Sequence, residues 1–242
     1  MRRYGLYLES GPKRRTTMVH VLDLLGCIAN GPTTDAAMEA TPGAINAYRR
    51  FLAAHGETIK ADEPFEVRVV EHITEGDWLG NGSPYLVFPP DLQPLTPVEA
   101  KRYLQRFAFL SEALAAWAET QSGRALDAKP RAGGRTARAV LLHALGSPGA
   151  YLSSALGGAP GFSRLATSAE RGETPLPEAF RQVADMASSL VSSTTPQQRA
   201  AVRALSGGER RYTLRKAVRR MLEHHWEHLA ELSRRPGGPG LV

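Results

Sequence analysis

The sequence predicts an α+β chain in two parts, a small N-terminal ββ(β)αβ domain followed by an antiparallel four-helix bundle. Three observations carry that prediction. Short alternating apolar segments cluster before residue 75, and helix-forming runs of ~20 residues fill the chain after residue 97. A stretch rich in Gly and Pro divides the two.

Tyr4–Glu9 alternates and is followed by a turn at Ser10-Gly11-Pro12-Lys13; Thr16–Leu22 is β-branched and alternating, so a hairpin is expected. Gly26–Gly31 reads as a short third strand. Thr33 and Thr34 are candidate N-caps for a helix over Asp35–Ala54, with Pro42 set to kink or restart it. Phe65–Glu71 alternates again and closes a domain over residues 1–75. Residues 76–96 read as a linker with four prolines, in which Trp78 and Tyr85–Phe88 are too apolar to leave in water. Thr96-Pro97-Val98-Glu99 combines an N-cap, Pro at N1 and Glu at N3, and starts a helix running to about Thr120. Further helices are expected over Gly134–Leu156 (interrupted or bent at Gly146–Gly149), Pro175–Leu205 (broken near Thr194–Pro196) and Tyr212–Ser233, completing a bundle over 97–235. The Pro-Gly-Gly-Pro-Gly tail from Pro236 is expected to fray.

At 242 residues, 42% hydrophobic and 22% charged, the composition excludes wholesale disorder and collagen-like repeats. No apolar run reaches the ~20 residues a membrane span needs. A lone cysteine, Cys27, permits no internal disulfide and suits a reducing, cytoplasmic setting. Cys27 follows a turn glycine and reads as a buried structural thiol rather than a partner of His20. The net charge of +6 is uneven: 9 basic against 12 acidic side chains before Gln93, and 21 against 12 from there on, a balance of −3 and then +9. The arginines of the basic half scatter over all four predicted helices without aromatic interleaving, so no nucleic-acid partner is expected.

The residues that carry chemistry are histidines. Three fall within His224-His225-Trp226-Glu227-His228, and His143 sits in the apolar run Val140–Leu145, which is expected to bury it. Positions i and i+4 share a helix face, so His224 and His228 can address one divalent ion. On a helical wheel Leu214, Val218, Met221, Leu229 and Leu232 define the inward stripe, with His225 and His228 inside it and His224 at its edge. The pair His225/His228 at i,i+3 therefore fits as readily as His224/His228. Glu223, Glu227 and Glu231 fall on the outward side, and no general base is identified. Arg135, Arg138 and Arg215 near helix ends read as solvated charge.

Residues 97–235 resemble the DinB-type family of metal-binding four-helix bundles, on Leu141-Leu142-His143 with Tyr151-Leu152, and on Thr213–Lys216 through Arg219–Leu229. That resemblance implies a divalent transition metal such as zinc or nickel held by His143, His224 and His228. It leaves His225 as the spare, with Tyr151 and Met221 beside it near the pocket. Members include thiol-dependent transferases and isomerases using bacillithiol or mycothiol, so a low-molecular-weight thiol, a small-molecule substrate and a homodimer are implied. The first seventy residues resemble a HicB-type antitoxin domain, on Tyr4–Glu9, Val19–Cys27, Gly31 and Asp35-Ala36-Ala37, with Leu25 where proline is usual. No separate DNA-binding segment accompanies it, which implies a recruited partner-binding module. Two functions follow as expectations: a metal-dependent enzyme of the thiol-transferase or hydrolase kind, or a non-enzymatic interaction or stress-response protein whose metal stabilises the helices and whose HicB-like domain binds a protein or RNA-related partner.

Overall fold

Alternation in the first strand sets the architecture of the N-terminal part. The computed structural model describes residues 1–130, 133–205 and 210–241. Strand β1 (Arg2–Ser10) sends Tyr4, Leu6 and Leu8 to a buried face. It pairs antiparallel with β2 (Thr17–Val21), which pairs with β3 (Ile28–Gly31). The chain then forms α1 (Thr34–Ala54), capped by the Thr33 side chain, and returns as β4 (Phe65–Ile73), parallel to β1. The sheet order is β3-β2-β1-β4, the expected ββ(β)αβ arrangement. Helix α1 buries Ala37, Thr41, Ile45, Tyr48 and Leu52, a one-face spacing, and Tyr48 donates to the Leu25 carbonyl. It runs on through Pro42 as one helix. Gly31 permits the close approach of β3, because a Cβ there would lie 2.5 Å from the Ala37 nitrogen.

The predicted linker is a strap on the first unit. Ser83 N–H donates to both Glu9 carboxylate oxygens, at 3.0 and 3.1 Å. Phe88 is fully buried against Tyr7 and His20, and Asp91 accepts from the Phe88 N–H. Trp78 departs from expectation: it is 74% exposed, on backbone with φ of 61°. Cys27 is buried and outside any disulfide. Residues 1–93 with the segment 202–212 make one compact unit, and residues 94–201 with 213–240 make the other. The late segment enters the first unit as strands β5 (Arg203–Leu205) and β6 (Arg210–Tyr212), with the Arg210 guanidinium 3.6 Å above the Tyr85 ring.

The second unit is helical. Its long helices are α2 (Pro97–Glu119), α4 (Ala137–Leu156), α6 (Leu176–Ser192) and α8 (Leu214–Ser233). Helix α2 packs on α6 and α8, and α4 packs on α8 and α6. Short helices α3 (Gly123–Asp127), α5 (Phe162–Glu170) and α7 (Pro196–Ala200) fill the connections. The third helical region breaks where expected, stopping at Ser192 and restarting at Pro196, but its expected end is corrected: residues Arg203–Leu205 form strand β5 rather than helix. The fourth begins at Leu214, since Tyr212 belongs to β6 and Thr213 is the N-cap. The tail does not fray at once, because the Trp117 indole donates to Gly237 at 3.0 Å and Pro239 is buried. Among the described residues no helix is long and apolar enough to cross a membrane.

The start of α2 is tied down as its sequence requires. Thr96 accepts from Glu99 N–H, Glu99 returns the bond to Thr96 N–H, and Arg215 donates twice to the same carboxylate, at 2.9 and 2.6 Å. Burial opposes ionisation of Glu99, but the bonds from Arg215 and Thr96 outweigh it and hold the carboxyl at about 2. Thr96→Ala is expected to cost about 1 kcal/mol in urea unfolding. Since the folded value of Glu99 lies below its ordinary 4.5, the unfolded chain binds the proton first. The stability from Glu99 is therefore present above about pH 4.5 and lost towards pH 2, and Glu99→Gln should flatten that acid limb.

Candidate metal centre

Helix α8 is set by the Thr213 cap, which accepts from Lys216 N–H at 3.1 Å, and by packing along α4. That packing brings three imidazoles to one point. His224 Nε2 lies 3.0 Å from His143 Nε2 and 3.2 Å from His228 Nε2, and one ligand atom from each residue falls within 4.8 Å of the others. Two imidazole nitrogens bound at ~2.05 Å to one ion would sit about 2.9 Å apart at a right angle and about 3.3 Å apart at the tetrahedral angle. The two separations measured from His224 fall in that interval. His224 and His228 are buried; His143, on α4, is exposed, which corrects the expectation that its apolar neighbours bury it.

The outer nitrogens explain why the inner ones converge. Pro148 has no N–H, so it leaves the Ala144 carbonyl without its helical donor. The Ser147 hydroxyl donates to that carbonyl at 2.9 Å, and its oxygen accepts from His224 Nδ1 at 2.9 Å. On the opposite side His228 Nδ1 donates to Glu231 at 2.9 Å, and Glu231 is also held by Arg135 (3.0 Å) and Arg235 (2.7 Å). The His228 hydrogen bond lowers the Glu231 carboxyl most, against burial, to about 2, so it is an anion. Both histidines thus spend their proton outward, and their Nε2 lone pairs face each other at 3.2 Å. A bare pair of that kind repels. Protonation is disfavoured, because burial, followed by the neighbouring His228, pushes His143 below its ordinary value and His224 well below it. The donor set fits a divalent transition ion bound through three Nε2 atoms, with a carboxylate–histidine pair behind one ligand.

The chain matches no protein-family model, no curated protein and no solved structure.

Beside His143 lies a cavity of about 270 Å³ lined by Leu142, His143, Ala166, Thr167 and Glu170. Helix α5 supplies three of those residues. It seats there because Gly149 has no side chain: a Cβ would come within 2.5 Å of Phe162 Cβ at the start of α5. Pro148 and Gly149 do not break α4 as expected; the helix continues, and the two residues serve the site.

The other sequence candidates separate from the cluster. His225 is fully buried between Phe107 (ring centroids 4.6 Å) and Phe180 (5.8 Å), and neither ring nitrogen has a hydrogen-bond partner. Met221 lies on the same buried side of α8, wholly enclosed. Tyr151 stands edge-on to His224 with ring centroids 6.1 Å apart and is half-buried. The outward face assigned to the glutamates is corrected. Glu223 is 1% exposed and accepts from Arg219 and Arg220, at 2.9 and 2.8 Å; Glu227 is half-buried; Glu231 supports a candidate ligand. The wheel fails because α8 is buried on nearly every side, so its apolar stripe does not mark the only inward face. The arginines read as solvated are paired: Arg135 with Glu231, Arg138 with Asp127, Arg215 with Glu99. Sequence reasoning missed Ser147 and Glu231. Their signals were helical spacing, i+4 from His143 and i+3 from His228.

Two measurements follow. Glu231→Gln should weaken divalent-ion affinity about 10- to 100-fold by calorimetric titration while leaving circular dichroism unchanged. His225→Leu, which replaces an unsatisfied buried imidazole with an apolar side chain, should raise the stability of the metal-free protein by about 1–3 kcal/mol. Burial first, then the nearby His228, lowers His225 to about 3, so on acidification the unfolded chain takes up its proton before the folded one does. Stability of the metal-free protein is therefore lost as pH falls from about 6.5 towards 3, with a shallower loss in His225→Leu.

Proposed function

We propose that the chain is a divalent-metal-binding protein of the DinB-like kind, with His143, His224 and His228 as ligands and α2, α4, α6 and α8 as its four-helix bundle. The observation that carries this reading is the pair of outward Nδ1 bonds, to Ser147 and Glu231, which turns two Nε2 lone pairs onto the point His143 also reaches. Three protein ligands leave coordination positions for water or a thiolate, so a bound ion would supply Lewis acidity and a nucleophile at neutral pH. The chain's own residues do the rest. Ser147 and Glu231 hold the imidazole orientations, and Arg135 and Arg235 hold Glu231. The exposed edge of His143 opens onto the cavity flanked by Thr167 and Glu170, through which a small molecule reaches the site.

On this reading the protein is a metal-dependent enzyme of the thiol-transferase or hydrolase kind, and the HicB-like first unit is a partner-binding module. Elemental analysis of the purified chain should find about one divalent ion per molecule, with the ion absent in His228→Ala. Chelation should lower the melting temperature of the native chain and leave that of His228→Ala unchanged. Turnover of an electrophile with an added low-molecular-weight thiol, abolished by chelator and by His228→Ala, is the expected enzymatic outcome. A protein that carries no metal and whose melting temperature ignores both chelator and added zinc or nickel would sink the proposal.

A further inference from the structure

Strand β4 is an edge of the four-stranded sheet, paired with β1 on one side only. An open edge of nine residues displays unpaired backbone donors and acceptors, and folded chains blunt such edges with lysine, proline, bulges or a covering segment. Here the blunting devices stand at the two ends of a short window and leave its middle open. Pro64 precedes the strand and has no N–H; the register shift between Leu6 and Tyr7 places a bulge at Val70. Between them lie Phe65-Glu66-Val67-Arg68-Val69, with Glu66, Arg68 and Val69 exposed and the latter at 49%.

This window is self-complementary. Its register against β1 sets Val67 beside Tyr4 and Val69 beside Leu6, on the side of the sheet that α1 covers, and Glu66 beside Arg3 and Arg68 beside Gly5 on the other side. Turned about a two-fold axis through Val67, the strand pairs antiparallel with a second copy of itself. Phe65 then meets Val69, Val67 meets Val67, and Glu66 meets Arg68. Opposite residues in an antiparallel pair share a face, so every apolar residue finds an apolar partner and each charge its opposite. Pairing one residue out of step would turn the apolar row onto the charged face. Among the described residues the ion pair these charges make is Arg3 to Glu66 at 2.9 Å, and it is well exposed.

We infer that the protein forms a homodimer through β4, joining two four-stranded sheets into one of eight strands across the two-fold axis at Val67. The contact is short, so the dimer is of the weak, reversible class. It involves the first unit alone and does not depend on the metal centre.

Sedimentation equilibrium on the full chain, from about 1 to 200 µM, tests it, since a weak interface dissociates in roughly the micromolar range. The wild-type chain should titrate from monomer to dimer, with or without chelator. Arg68→Glu sets like charges opposite each other twice, once on each side of the axis, and should weaken association at least about tenfold. The double exchange Glu66→Arg with Arg68→Glu restores opposite charges and should recover wild-type association to within about threefold. Both positions are exposed, and circular dichroism verifies that the variants remain folded. A wild-type chain that stays monomeric over the whole range overturns the inference. So does a dimer indifferent to the single reversal, or one that the double exchange fails to restore.

Discussion

Helix α8 meets α4 along a seam where His224 comes within hydrogen-bond distance of both His143 and His228, and every property of the candidate centre depends on that contact. The seam places two buried imidazoles and one exposed imidazole around a single point. Crowding such rings is unfavourable by itself, since facing lone pairs repel and burial disfavours protonating His143 and His224. The arrangement makes physical sense as a site whose unfavourable part is offset by an ion. A proline within α4 contributes through a chain of single steps: it frees a carbonyl, the carbonyl orients Ser147, and Ser147 orients His224.

The rest of α8 is also unusually polar for a helix buried on nearly every side. Arg219 and Arg220 share the Glu223 carboxylate, all three almost wholly buried, about one turn before the candidate ligands. Such a buried group contributes little net stability by itself. A helix so constrained has one rotational setting that satisfies its charges. In that setting His224 and His228 face α4, while His225, ~100° further round the helix, is turned between Phe107 and Phe180 with no partner. The orphaned imidazole is the cost of the same rotation that aligns its neighbours.

The first unit obeys a different logic, in which a sheet is covered on both faces by elements close in sequence. Helix α1 covers the face of Tyr4, Leu6 and Leu8; the strap of residues 76–93 covers part of the other, anchored where Ser83 meets the Glu9 carboxylate and Phe88 meets Tyr7 and His20. A buried carboxylate at the end of β1 is tolerable because backbone N–H and imidazole satisfy it. Strand β4 forms one edge of that sheet and β3 the other, with α1 packed on β3.

The sequence by itself determined the local structure. Period-two alternation marked the strands, Thr33, Thr96 and Thr213 marked helix starts through side chains that accept the first free N–H groups, and one-turn spacing singled out a histidine pair beside a distant third. These features are legible because they rest on contacts within a few residues. The tertiary structure alone decided what depends on how helices meet: that His224 rather than His225 joins His143, which nitrogen each ring turns inward, that Glu231 and Ser147 stand behind the ligands, and that Arg203–Leu205 leaves the helical region to form a strand. A wheel assumes one buried face and one wet face. Because α8 is enclosed almost all round, its rotation is set by ring contacts and buried ion pairs between segments far apart in the chain, which no local period encodes.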